Sequence, residues 1–157
     1  LASAHLYLGL TLEFGDNCMS ARSNFEKARA LFEEISLPGY MLDAMSGLAR
    51  CSLALKEYRA AQQWAEPVWE RLSNTGSQGL EFPGLAYLAC IEVFEGLGKT
   101  ERTDEAIVGG YYDLTERSER IGDPSWRLSF LQNIPEHQAI WKRFRPLSRD
   151  IQKPDSS

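Results

Sequence analysis

The chain has 157 residues, 43% hydrophobic and 25% charged, a composition ordinary for a globular protein. Its length suggests one domain with enough apolar mass for a core. The 17 basic and 22 acidic residues leave a net charge of −5, which argues against a nucleic-acid footprint spread over the whole protein. No run approaches the roughly 18 apolar residues that mark a membrane span, and no basic-then-apolar leader is visible. A cytoplasmic location is expected. Leu1 already opens a helical pattern, so the chain reads as part of a longer protein.

The first pattern places His5, Leu8, Gly9 and Leu12 on one face of a helix, and Gly15-Asp16 then makes a turn. A second helix carries Ala21, Phe25, Ala28, Phe32 and Ile35, an amphipathic stripe with spacings of 4, 3, 4 and 3. Gly9, Ala21 and Ala28 are small, as residues must be where two helix axes come close. Ser36 to Gly39 is a turn cluster.

The pattern returns with weaker letters. Met45, Leu48, Ala49 and Ser52 take the places of His5, Leu8, Gly9 and Leu12. Ala61, Ala65 and Val68 follow a turn at Lys56–Tyr58 and match Ala21, Phe25 and Ala28 at an offset of 40 residues. Pro67 falls inside this helix and predicts a kink. Asn74 to Gly79 reads as a flexible connection.

The third unit starts near Phe82. Leu85 to Phe94 is apolar nearly all round, which predicts a helix with neighbours on both sides. Gly96-Leu97-Gly98 ends it. The following helix, with Ala106, Ile107, Tyr111 and Leu114, aligns to the second unit through Ala106 and Ala61, an offset of 45. Gly109-Gly110 either weakens this helix or admits a close approach. Gly122-Asp123-Pro124 combines a C′ glycine, an N-cap aspartate and a first-turn proline. Two closing helices follow, one with Trp126, Phe130 and Leu131, the other with His137, Ile140, Trp141 and Phe144. From Pro146 the apolar content collapses, and 146–157 is expected to be a disordered tail.

Leu8-Gly9, Gly15-Asp16, Ala21-Phe25-Ala28 and the second copy resemble the tetratricopeptide repeat family. The resemblance covers about residues 2–121, as repeats near 2–36, 40–73 and 82–121, with cap helices over 124–145. It implies one all-α domain, 1–145: a right-handed superhelix of antiparallel helix hairpins, a tetratricopeptide-like α-solenoid with a C-terminal helical cap. The run Arg127 to His137 looks like the C-terminal end of helical-repeat regions in large bacterial signalling and transcriptional regulators. The function this implies is non-enzymatic. The module would bind a peptide or protein in its concave groove, or upstream domains of its own chain.

Carried over by position, the groove candidates are Leu6, Leu10, Glu13 and Phe14, then Asp43, Ser46, Arg50 and Leu53, then Leu88, Glu92 and Glu95. Such a groove would be apolar with an acidic bias and one arginine. It lacks the Lys and Asn pattern that clamps a C-terminal carboxylate. Against this stands the plain alternative that apolar helix residues are mostly core. A different reading is a small-ligand sensor closing around an inducer, its cavity lined by Tyr7, Phe14, Leu53 and Tyr87. The bare N-terminal face of the stack would also let copies of the chain associate.

No catalytic residue, metal site or cofactor is expected. Gly96-Leu97-Gly98-Lys99-Thr100 has Val93 where a phosphate loop needs glycine, and an apolar helix where it needs a strand. His5 and His137 lie at opposite ends, without metal ligands at convincing spacing. Cys18, Cys51 and Cys90 form no CxxC pair and read as small core residues. Lys142, Arg143, Arg145, Arg149 and Lys153 read as a solvated basic end. Trp64 and Trp69 are five apart, so they do not stack on one face; at least one is expected in the core and the other at a surface contact.

Overall fold

The computed structural model describes residues 1–151, with side chains described through residue 148. These residues are all-α. The helices are α1 (Ala2–Phe14), α2 (Cys18–Glu34), α3 (Pro38–Ala54), α4 (Tyr58–Thr75), α5 (Pro83–Gly96), α6 (Thr100–Glu119), α7 (Pro124–Gln132) and α8 (Pro135–Ile151).

Three hairpins, α1–α2, α3–α4 and α5–α6, close through the same turn. Asp16, Lys56 and Gly98 each adopt a left-handed φ, at 58°, 61° and 67°. Their N–H groups donate to the carbonyls of Glu13, Leu53 and Glu95. The next residues, Asn17, Glu57 and Lys99, donate to Leu12, Ser52 and Phe94 at 2.9, 2.8 and 2.9 Å. Each turn thus satisfies carbonyls that the ending helix leaves without partners. The α2–α3 connection repeats the device at Ser36, with φ 56° and Leu37 N–H donating to Phe32.

The turns fix the register of the repeats. The buried stripe of α2 is Ala21, Phe25, Ala28 and Phe32, and that of α4 is Ala61, Ala65, Val68 and Leu72. In α6 the equivalent places are Thr103, Ile107, Gly110 and Leu114, with Ala106 and Ser118 buried beside them. The spacing is 4, 3, 4 in all three, so the offsets are 40 and 42. The alignment of Ala106 with Ala61 at an offset of 45 is corrected: Thr103 takes that place. Its hydroxyl donates to the Lys99 carbonyl within the helix, which lets a polar residue be buried there.

Packing follows the size of the small residues. Phe25 is fully buried between α1 and α3. A Cβ on Gly9 would lie 2.7 Å from its Cε1, and one on Gly47 would lie 2.6 Å from its Cζ. Gly110 lies close to Tyr87, where a Cβ would stand 3.2 Å from that residue's Cβ, so the close approach is by a side chain rather than backbone; Gly109 has room for a Cβ in ordinary contact. Pro67 leaves α4 unbroken over Tyr58–Thr75, because it and Gln63, whose carbonyl loses its donor, both lie on the exposed side.

Consecutive helices pack on one another, and first helices also touch across repeats, α1 with α3 and α3 with α5. α8 continues this order. It packs on α5 and α6, as α3 packs on α1 and α2. Ile140 of α8 is fully buried, and Phe144 and Leu147 pack against the same core. This burial carries the helix through Pro146 to Ile151, so the tail expected from 146 is helical as far as 151. The remainder, 152–157, lies outside the described residues. α7 buries no residue and connects α6 to α8. Its start is as the sequence predicts, with Asp123 accepting from Ser125 N–H and Trp126 N–H and Pro124 in the first turn. α6 ends at Glu119, so Gly122 lies beyond its cap.

The 76–82 connection is pinned rather than free. Gly39 lacks the Cβ that would collide with the Gly79 carbonyl. Arg71 donates to the Gln78 carbonyl at 2.7 Å. The Asp43 carboxylate accepts Glu81 N–H at 2.7 Å and Phe82 N–H at 3.0 Å, so α3 ties down the backbone that enters α5.

Candidate interaction surface

The turn register brings the groove candidates into equivalent rows. Leu6, Ser46 and Leu88 occupy one row, Leu10, Arg50 and Glu92 the next, and Glu13, Leu53 and Glu95 a third. The rows differ in depth. Leu6, Leu10, Ser46 and Leu88 are buried, so as groove lining they are corrected: they are core. Leu6 and Leu10 share a core cluster with Ala21 and Phe25 of α2 and Leu48 of α3, and Leu88 belongs to the cluster of Val68 and Phe94. Asp43 is also buried, 2% exposed, and is spent on the backbone N–H groups of Glu81 and Phe82. Burial and the nearby Glu81 charge push its carboxyl up to about 6, against the two N–H bonds and Arg50, which favour the ionised form.

What remains accessible is a narrower strip of Phe14, Leu53, Glu92 and Glu95, with the Arg50 and Glu13 side chains, 9% and 12% exposed, largely shielded beside it. Arg50 joins α3 to α1 through a two-pronged pair with Glu13, Nε to Oε1 at 2.6 Å and Nη2 to Oε2 at 2.8 Å. Its Nη1 also donates to Ser46 Oγ and the Leu85 carbonyl at 3.2 and 3.3 Å. Arg143 of α8 holds Glu95 at 2.8 Å and approaches Glu92 at 3.9 Å. Burial raises the Glu92 carboxyl, opposed by Arg143 and Arg50. The expected acidic bias is therefore largely neutralised, by a helix that the sequence reading treated only as a cap. Phe14 stands at the edge of the strip, 70% exposed. Leu53 is half-buried against Gly96.

The four residues expected to line a sensor cavity do not converge. Tyr7 leans edge-on against Phe82, and its hydroxyl donates to Glu81 at 3.2 Å. Tyr87 is buried beside Gly109 and Gly110, and Phe14 faces solvent. A cleft of about 670 Å³ does open elsewhere, between the 75–80 segment and α6. Its walls include Ser77, Tyr87, Tyr112, Asp113, Arg117 and Arg120. Ser77 Oγ donates to Asp113, and Arg117 Nε donates to the other Asp113 oxygen at 2.7 Å. The sequence reading missed this cleft because its walls come from a connection and a helix with no motif between them.

The remaining candidates have structural partners. His5 Nδ1 pairs with Asn24 Oδ1 at 3.0 Å. His137 is buried against Gly84, with Nδ1 2.8 Å from the Phe130 carbonyl, and burial lowers its basicity. Cys51 and Cys90 are buried and Cys18 is half-buried; all are free thiols. Burial pushes the Cys51 thiol up to about 12 and raises Cys90 as well. Trp64 and Trp69 are both half-buried, Trp69 edge-on to Phe94 and Trp64 beneath Arg29. Gly98 serves the α5–α6 turn, and Lys99 lies 3.8 Å from Glu66. Among the described residues no His, Cys, Asp and Glu cluster has metal-site geometry. Among them, too, no helix is long and apolar enough to cross a membrane. Arg149 and Lys153 fall outside the described side chains.

Comparison of the chain with protein-family models, with curated proteins and with solved structures finds no match.

Proposed function

We propose that the chain is a tetratricopeptide-like right-handed superhelix that acts as a non-enzymatic interaction module. Its partner is a peptide or protein, or another domain of the same polypeptide. The observation that carries this reading is the strip Phe14, Leu53, Glu92 and Glu95, with the shielded Glu13–Arg50 pair beside it. It is built from equivalent places in three repeats and held by ion pairs from α1 to α3 and from α5 to α8. A surface ordered before binding loses little side-chain freedom on association. The role assigned to it, regulating a multidomain bacterial signalling or transcriptional protein, rests on the resemblance at Arg127–His137.

The test is capture of partners by the chain and by a Phe14→Glu variant. Phe14 is 70% exposed, so the variant should fold, whereas reversing Glu92 and Glu95 would also break the α5–α8 pairs. A partner retained by the parent and lost by Phe14→Glu supports the reading. Partners captured equally by both remove the strip from the function. The 670 Å³ cleft favours a second reading, a small-ligand sensor at that place. A metabolite that raises the melting temperature of the parent but not of Tyr112→Ala would favour it.

A further inference from the structure

The register that aligns the hairpins also aligns the outer faces of their first helices. Ala44, Leu48 and Cys51 of α3 are equivalent to Ala86, Cys90 and Val93 of α5, and all six are buried. Each set is covered by the preceding second helix. Ala44, Leu48 and Cys51 share a core cluster with Phe25, Ala28 and Phe32 of α2. Ala86, Cys90 and Val93 share one with Ala65, Val68 and Leu72 of α4. The α1 equivalents are Ala4, Leu8 and Thr11. They are exposed, Leu8 by 48%. The Thr11 hydroxyl already donates to the Tyr7 carbonyl at 2.9 Å, so covering it would strand no polar group.

We propose that this face of α1 seats a helix supplied from outside residues 1–157, amphipathic like α2 and α4, with its stripe spaced 4, 3, 4. The neighbouring position specifies the helix further. Gly47 of α3 receives the ring of Phe25, and Ala89 of α5 stands where α4 presents the small Ala65. The α1 equivalent of both is Tyr7, whose ring is held against Phe82 and Glu81. A phenylalanine opposite Tyr7 would have no space. The incoming stripe is therefore small, small, bulky, bulky, as in α4, and not the alternating pattern of α2. This site is separate from the strip at Phe14 and Leu53, and its occupant is a helix rather than a second copy of the chain.

The probe is a synthetic peptide with the sequence of Tyr58–Thr75 and Pro67→Ala, titrated into the 157-residue chain while the methyl resonances of Ala4 and Leu8 are followed. Those resonances should move and saturate. Binding should weaken at least tenfold for a Leu8→Asp chain and for a peptide that also carries Ala65→Phe. A Tyr7→Ala chain should recover binding of the Ala65→Phe peptide. Leu8 is half-exposed, so circular dichroism should show Leu8→Asp folded. Absence of any shift at Ala4 and Leu8 at millimolar peptide overturns the proposal, as does a titration unchanged in Leu8→Asp. Concentration-dependent shifts at the same methyls without peptide, with a dimer in sedimentation, also overturn it, since the occupant is then the chain itself.

Discussion

Gly47→Ala should be costly only while Phe25 is present. The new Cβ would stand 2.6–2.7 Å from Cζ, Cε1 and Cε2 of that ring. The ring has little room to withdraw, because Gly9 also borders it closely enough that a Cβ there would lie 2.7–2.8 Å from Cε1 and Cδ1. Overpacking of this kind costs about 1–3 kcal/mol. Alanine in a helix interior returns about 1 kcal/mol through propensity. The single variant should therefore lose about 0–2 kcal/mol. Phe25→Leu opens a cavity and destabilises by itself, by less than the roughly 3–5 kcal/mol of a Phe→Ala change. It also removes all three atoms that Gly47→Ala would strike. In that background Gly47→Ala should stabilise by up to about 1 kcal/mol, a coupling of about 1–3 kcal/mol. Urea unfolding of the four proteins, compared by midpoint and slope, measures it. An equal cost of Gly47→Ala in both backgrounds would refute the wedge.

Breaking the Arg50–Glu13 pair from one side should be expensive. Its side chains are 9% and 12% exposed, so Arg50→Met leaves a shielded, unpaired carboxylate and should cost about 3–5 kcal/mol. Adding Glu13→Gln should recover a large part of it, read by the same unfolding assay. Asp43 should make stability fall as pH rises. Its folded pKa of about 6 lies above the ordinary 3.8, so the folded state holds the proton more firmly across that window. That stabilisation is full below pH 3.8 and is lost as pH climbs through 6, by about 3 kcal/mol at most. Subtracting the profile of Asp43→Asn from that of the parent should reveal this slope, and a difference flat from pH 4 to 7 would contradict it. Of the three thiols, Cys18 alone should react with an aromatic disulfide reagent in the native state, and Cys51 and Cys90 only on unfolding.

The second helices were legible because each buries one stripe and leaves its other side wet, so period 3.6 shows directly at Ala21, Phe25, Ala28 and Phe32. First helices touch neighbours on several sides, and nearly every position is then small or apolar. Periodicity cannot rank those positions. It grouped Leu8 with Gly9 on one face, and the family resemblance offered Leu6 and Leu10 to a partner, whereas Leu8 is half-exposed and the other two are core. Gly47 carried no signal at all, because its meaning comes from Phe25, 22 residues earlier. The end of α8 was misread for a related reason. Pro146 and the surrounding charges weaken local propensity, but Phe144 and Leu147 have a core to pack on, and that contact decides the helix.

The two ends of the stack are chemically unlike, and this bears on where a partner can act. At the C-terminal end α8 buries His137 and Ile140 against α5 and α6, and it also sends Arg143 across to Glu92 and Glu95. The strip proposed for binding is thereby tied to α8. A ligand that drew Glu95 away from Arg143 would strain the α5–α8 contact. At the other end Ala4, Leu8 and Thr11 repeat a face that is covered in both later hairpins. A helix settling there would add to α1, which holds Glu13 and, through it, Arg50. The same strip therefore lies between two helix contacts, one made within the chain and one left open. Occupancy of the open one should be felt first at the Glu13–Arg50 pair, the only charged link between α1 and α3 among the described residues.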